Sequence, residues 1–139
     1  MSDKFFLDTN ILVYCFDRSA PAKRRIAGGL VEEALGGHQG LISTQVIQEF
    51  FSVATRKFKE PMSASECQIY LDTVLSPLCE IFPSLALYRQ AINVREETGY
   101  SFYDALIVTA ALEAGCKTIY SEDLQHNHRL HGLEIKNPF

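Results

Sequence analysis

At 139 residues, 47% of them apolar, the chain is long enough to bury a core and too apolar to stay disordered. Its 13 basic and 17 acidic residues give a formal net charge of −4, which excludes holding nucleic acid by overall charge alone. No apolar run approaches the ~20 residues that span a bilayer, and the N-terminus lacks the basic start and apolar stretch of a signal peptide, so one cytoplasmic domain is expected.

The first element sets the question for the rest. Phe5-Phe6-Leu7 reads as a short buried strand running directly into Asp8-Thr9-Asn10, ahead of a second apolar run, Ile11-Leu12-Val13-Tyr14. A carboxylate at the carboxyl end of a strand is placed for chemistry in an open α/β sheet. It is equally placed to cap the next helix, and this stretch alone does not separate the two. Pro21 opens a helix expected to run to about Leu35, with Gly36-Gly37 as its stop. The cluster Lys23-Arg24-Arg25 lies on that helix.

Leu41-Ile42 is a second short strand, and Ser43 or Thr44 can cap the helix that follows. Val46, Ile47, Phe50, Phe51, Ala54 and Phe58 recur there at helical spacing, with Glu49 at the margin of the apolar face. A second basic cluster, Arg56-Lys57-Phe58-Lys59, follows. Both clusters are solvated helix faces unless the fold brings them to a site. Pro61 breaks the chain, and Ser63-x-x-Glu66 is a capping box for a helix through about Leu75. Glu80-Ile81-Phe82 reads as a third strand ended by Pro83, and Ser84 starts a helix running to Thr98-Gly99.

From Phe102 to Ala114 the helical pattern is apolar on nearly every side, which predicts a buried helix stopped by Gly115. Asp104 lies in its first turn, on a face with Val108 and Ala111. Burying a carboxylate is costly without compensation, which can come from the helix N-terminus, from a Ser101-x-x-Asp104 capping box, or from a cation. Lys117-Thr118-Ile119-Tyr120 is a further strand that runs into Ser121-Glu122-Asp123, the same strand-to-acid arrangement as Asp8. Leu133-Glu134-Ile135 is a short last strand. Cys15, Cys67, Cys79 and Cys116 are widely spaced with no C-x-x-C pair and are expected to be reduced.

In a parallel sheet, Asp8, Glu49, Asp104 and Asp123 can converge at one edge. Such a group repels itself and raises its own pKa values unless a divalent cation neutralises it. Mg²⁺, a hard octahedral ion, suits carboxylates and phosphate oxygens. The implied reaction class is metal-dependent phosphodiester hydrolysis.

Phe6-Leu7-Asp8-Thr9-Asn10, Gln48-Glu49-Phe50, Ser101-Phe102-Tyr103-Asp104-Ala105-Leu106-Ile107 and Ser121-Glu122-Asp123-Leu124 together resemble the PIN-domain ribonucleases, in particular the VapC-type toxins of bacterial toxin–antitoxin pairs. The resemblance implies a three-layer α/β/α fold around a central parallel sheet, a homodimer, and a small cognate antitoxin covering the active site. It further implies a ribonuclease using Mg²⁺ or Mn²⁺, with Asp8, Asp104 and Asp123 as metal ligands and Glu49 completing the catalytic acids. Thr9, Asn10 and Ser121 would then orient the acids by hydrogen bonds. Ser121 replaces the family's usual Thr and keeps a donor and acceptor. His126 stands where members often carry an aromatic, so Glu122 is an alternative to Asp123. His126-Asn127-His128 and His131 are expected to form a polar surface loop, since three letters of a nuclease motif carry no mechanism without their structural context.

Two other readings stay open. A phosphatase could use Asp8 as nucleophile, although Asn10 stands where such enzymes place a second Asp. A non-catalytic binding module would keep the fold, although it would have no reason to keep all four acids.

Overall fold

The computed structural model describes residues 3–37 and 39–139. Six strands form one sheet in the order β3-β2-β1-β4-β6-β5, where β1 is Phe5–Leu7, β2 Gly40–Ser43, β3 Cys79–Ile81, β4 Thr118–Tyr120, β5 Arg129–Leu130 and β6 Leu133–Lys136. All pairings are parallel except β5 with β6. β1 and β2 are buried along their full length, which is why they read as unbroken apolar runs rather than alternating ones. Gly40 is required at the start of β2, because a Cβ there would stand 2.3 Å from the Ala34 Cβ and 2.6 Å from the Phe5 ring.

Helices flank this sheet, as the α/β/α expectation has it. They are α1 (Thr9–Tyr14), α2 (Pro21–Gly37), α3 (Thr44–Ala54), α4 (Ala64–Tyr70), α5 (Ser76–Leu78), α6 (Leu85–Thr98) and α7 (Phe102–Glu113). α7 buries every residue from Ala105 to Ala111, packing along α6 and against β2 and β4. Its apolar circumference follows from having neighbours on all sides. No helix among the described residues is long and apolar enough to cross a membrane.

The chain leaves β1 outward to β2 and β3, then returns to lay β4 on the opposite side of β1. The sheet therefore changes winding direction between β1 and β4. Ligands bind at such a switch point, outside the carboxyl ends of the strands. Leu7 and Tyr120 are in register there, so Asp8 and Ser121 emerge side by side.

Local differences from the sequence reading have local causes. α2 runs through Gly36 and Gly37 instead of stopping before them. α3 ends at Ala54, yet Phe58 still packs on Phe16 and Phe50 from the turn beyond it. The Ser63–Glu66 capping box forms, but its helix passes at Leu71–Leu75 into a π-helical turn, in which the Ser76 N–H donates to Leu71 O, before the α5 turn. The last strand is half of a hairpin. His131 and Gly132 both take positive φ there, as a tight two-residue turn between twisted strands requires.

Candidate active site

Asp8 is the N-cap of α1 and stays buried, 7% exposed. Its Oδ1 accepts from the Thr9 N–H at 2.7 Å, and its Oδ2 accepts from the Ser121 hydroxyl at 2.7 Å. The Asp8 N–H donates across the switch point to Tyr120 O. Burial pushes the carboxyl up to about 6, against the two hydrogen bonds, and the charges of Glu49 and Asp123 push in the same direction as burial. Asp8 thus caps α1 while remaining a buried carboxylate at the switch point, so the capping role does not exclude another.

Each of three neutral residues holds a different acid. Ser121 holds Asp8. Thr9 Oγ1 donates to Glu49 Oε1 at 2.6 Å, and Asn10 Nδ2 donates to Asp123 Oδ2 at 3.1 Å. Ser121 is also the hub of the β4 loop. Fully buried, its Oγ accepts from Asn10 Nδ2, the Asp123 N–H and the Leu124 N–H while donating to Asp8. Asn10 closes the ring by accepting from the Glu122 N–H. Thr9, Asn10, Glu49 and Asp123 line an open cleft of about 420 Å³, together with Val13, Ser52 and Val53.

Asp104 enters differently. Its N–H is capped by Ser101 Oγ at 3.2 Å, its carboxylate hydrogen-bonds none of the other three acids, and its charge adds to the burial that raises the Tyr100 phenol. A residue that sequence reasoning missed links its helix to the others. Gln45 Nε2 donates both to Glu49 Oε2 and to the carbonyl of Tyr103, each at 3.0 Å. The i, i+4 spacing of Gln45 and Glu49 on one helix is the signal that could have found it.

Glu122 is engaged elsewhere. Lys23 and Tyr14 both donate to it, lowering its pKa, while the Lys23 ammonium lies over the rings of Tyr14 and Phe139. The first basic cluster therefore spends Lys23 on bracing the β4 loop and leaves Arg24 and Arg25 exposed on α2. In the second, Arg56 Nη2 donates to Ser52 Oγ, at the edge of the acid cleft. His126 and Asn127 are exposed as expected, whereas His128 is half-buried and hydrogen-bonded to the Tyr100 hydroxyl.

The donor set suits a hard divalent cation: oxygen atoms only, one carboxylate kept buried, and two others near enough to raise its pKa. It is an open cup rather than a closed cage. Among the described residues no three acid, histidine or cysteine side chains stand close enough together to hold an ion.

The family model of the PIN domain matches residues 5–129. The chain belongs to the PIN-domain family. Solved structures agree in fold. The chain of a toxin–antitoxin complex from Klebsiella pneumoniae superposes with a TM-score of 0.70 at 20% identity, covering 98% of both chains. A DNA-bound VapBC from Salmonella typhimurium gives 0.68 at 19% identity over 100% of both. VapC20 of Mycobacterium tuberculosis, described as a sarcin–ricin-loop-cleaving toxin, gives 0.59 at 20% identity over 86% of this chain and 90% of its own. No curated protein matches in sequence. This PIN domain thus has the VapC toxin fold, with Asp8 and the β4 loop at its switch point.

Proposed function

We propose that this PIN domain is a metal-dependent endoribonuclease and the toxin of a toxin–antitoxin pair. The observation that carries the proposal is Asp8: a buried carboxylate at the switch point of the sheet, pushed up to about 6, with Glu49 and Asp123 adding to that rise and each oriented by its own hydrogen-bond donor. An arrangement that disfavours its own negative charge is explained if a cation completes it.

Asp8, Asp104 and Asp123 would share Mg²⁺ or Mn²⁺ partly through its bound waters and the phosphate oxygens of the substrate, since among the described residues no three of the side chains stand close enough to ligate one ion directly. When bound, such an ion polarises the phosphoryl group and offsets the charge of the acids. Glu49, with both oxygens accepting hydrogen bonds, is fixed in orientation and directs the attacking water towards phosphorus. Ser121 and Thr9 keep Asp8 aligned, and Asn10 does the same for Asp123. Arg56, tied to the cleft residue Ser52, supplies a contact for the RNA backbone that the net charge cannot supply.

The phosphatase alternative is disfavoured, because Asn10 stands where such enzymes place a second Asp and is itself tied to Ser121, Asp123 and the Glu122 N–H. A homodimer is supported by the exposed apolar stripe of Leu85, Tyr88 and Ile92 along α6, continued by Phe82. The reading includes a small antitoxin partner, which is supported by the toxin–antitoxin complexes that share the fold. Cytoplasmic action accords with four unpaired cysteines.

The test is incubation of the purified protein with total bacterial RNA and Mg²⁺ or Mn²⁺, with and without chelator, followed by sequencing of the new ends. Chelator-sensitive cuts that disappear in Asp104→Asn support the proposal. Cuts that persist in a pure Asp104→Asn preparation overturn the assignment of that residue, and cuts that persist in chelator overturn the metal.

A further inference from the structure

A second cavity, of about 290 Å³, lies between the start of α3, the end of β3, and helices α6 and α7. Ser43 and Gln45 line it, 3% and 8% exposed, and Ser43 Oγ and Gln45 Oε1 are the buried side-chain atoms among the described residues that lack a hydrogen-bond partner. Buried polar groups in folded proteins are almost always paired, so two orphans in one cavity point to a polar occupant, water or a ligand that displaces it.

The chemistry of the orphans is defined by their surroundings. Gln45 Nε2 donates to two acceptors, Glu49 and the Tyr103 carbonyl, which fixes Oε1 as a pure acceptor. Ser43 is the N-cap of α3 by position, yet its hydroxyl makes no cap bond, and a bulge in the β2–β3 pairing falls at Ile42–Ser43. That hydroxyl is free to donate or accept. The remaining wall is mostly apolar and aromatic, with Phe102 half-buried and Tyr88 and Tyr103 exposed, Thr44 and Gln48 add neutral polar groups, and no charged residue lines the cavity. A neutral, flat ring with an N–H donor fits this better than a phosphate or an acid.

A single amide separates this cavity from Glu49. We propose that it receives one unstacked base of the RNA substrate, whose edge donates an N–H to Gln45 Oε1 and accepts from the Ser43 hydroxyl. Each of the four bases carries such a neighbouring donor and acceptor, and the ribose phosphate has no N–H to offer. This inference rests on the ribonuclease reading for the identity of its ligand. The pocket itself can be tested without catalysis.

The experiment has two arms on the full chain. In chelator, ¹⁵N spectra are recorded while adenosine, cytidine, uridine or ribose 5-phosphate is added to millimolar concentration. Shifts of the Gln45 side-chain amide and of residues 43–48 with a nucleoside, absent with ribose 5-phosphate, are expected. In the second arm a single-stranded RNA with an abasic nucleotide stepped along it is cut in Mg²⁺ or Mn²⁺ and the ends sequenced. Loss of the base at one position beside the cut should slow cleavage roughly 5- to 150-fold, the range of one good base contact. Ser43→Ala, which breaks no hydrogen bond of the free protein, should reduce that effect. Cleavage indifferent to every abasic position and no nucleoside shift overturns the pocket and leaves the nuclease standing. Nucleoside shifts without any cleavage support the pocket and overturn the nuclease. Shifts at residues 43–48 that follow protein concentration and not nucleoside overturn it in favour of a second copy's side chain.

Discussion

Replacing Ser121 by alanine is the most direct probe of how the site is held. The hydroxyl is fully buried and connects four groups: the Asp8 carboxylate, the Asn10 amide, and the N–H groups of Asp123 and Leu124. Asp123 is exposed, so its N–H can turn to water, but Asp8 and Leu124 are buried and cannot do so easily. A lost hydrogen bond to a charged group costs about 1.5–3 kcal/mol and a stranded buried N–H about 1–3 kcal/mol, so a loss of about 2.5–6 kcal/mol is expected. That is a large share of the ~5–15 kcal/mol that holds a typical domain. The loss should also depend on pH. The Ser121 bond pulls the Asp8 pKa down against burial, so without it the folded carboxyl holds its proton more tightly, and the deficit is largest well above pH 6 and smaller below pH 4. Urea unfolding followed by circular dichroism in chelator, at pH 7.5 and pH 4.5, measures both. Ser121→Thr, which keeps the hydroxyl, should recover most of the stability. A Ser121→Ala deficit under about 1 kcal/mol at pH 7.5 would refute the view that this hydroxyl is the hub of the site.

Four further outcomes follow from the same geometry. Because the folded Asp8 pKa of about 6 lies above its ordinary 3.8, this group favours the folded state below pH 3.8 and loses that advantage as pH rises through 6. The difference is worth about 3 kcal/mol, and Asp8→Asn should flatten the corresponding slope in chelator, as unfolding titrations would show. Thr9→Val removes the 2.6 Å bond to Glu49 and should lower the cleavage rate about 10- to 100-fold, as loss of an orienting partner commonly does, with a smaller effect on substrate affinity. Arg56→Ala should weaken RNA binding across sequences and make the dependence of log Kd on log salt shallower by about one contact, which filter binding over a salt series would show. Glu122→Gln should bring the Tyr14 phenol down towards 10, since the hydrogen bond to Glu122 is the main cause of its elevation, and a nuclear magnetic resonance titration of that ring reads it directly.

Much of the frame was legible because its signals are local. Phe5-Phe6-Leu7, the Ser63–Glu66 box and the apolar circumference of α7 announce themselves within a few residues, by periodicity or by capping chemistry. The π-helical turn at Leu71–Leu75 was not legible, since nothing in its composition distinguishes it from one more α-helical turn. Nor was the β5–β6 hairpin, because β5 is only two residues, Arg129–Leu130, too short to carry an alternating pattern even with Gly132 supplying one of the two positive-φ turn positions. Gln45 escaped notice because a glutamine at a helix margin looks like solvent-facing polarity until a second helix brings a carbonyl to it.

From its residues alone this chain determined five of the six strands, which helix is buried, and that acids follow two strand ends, because hydrophobic period and turn chemistry act over single elements. Only the tertiary structure decided the strand order that places β4 beside β1, and with it the meeting of Asp8 with Ser121 across 113 positions. It also decided that Gln45 ties Glu49 to the first turn of α7 through the Tyr103 carbonyl, that Lys23 is engaged by Glu122, and that Ser43 and Gln45 share a cavity. Those outcomes depend on distances between elements far apart in the chain, which composition and spacing do not encode and packing does.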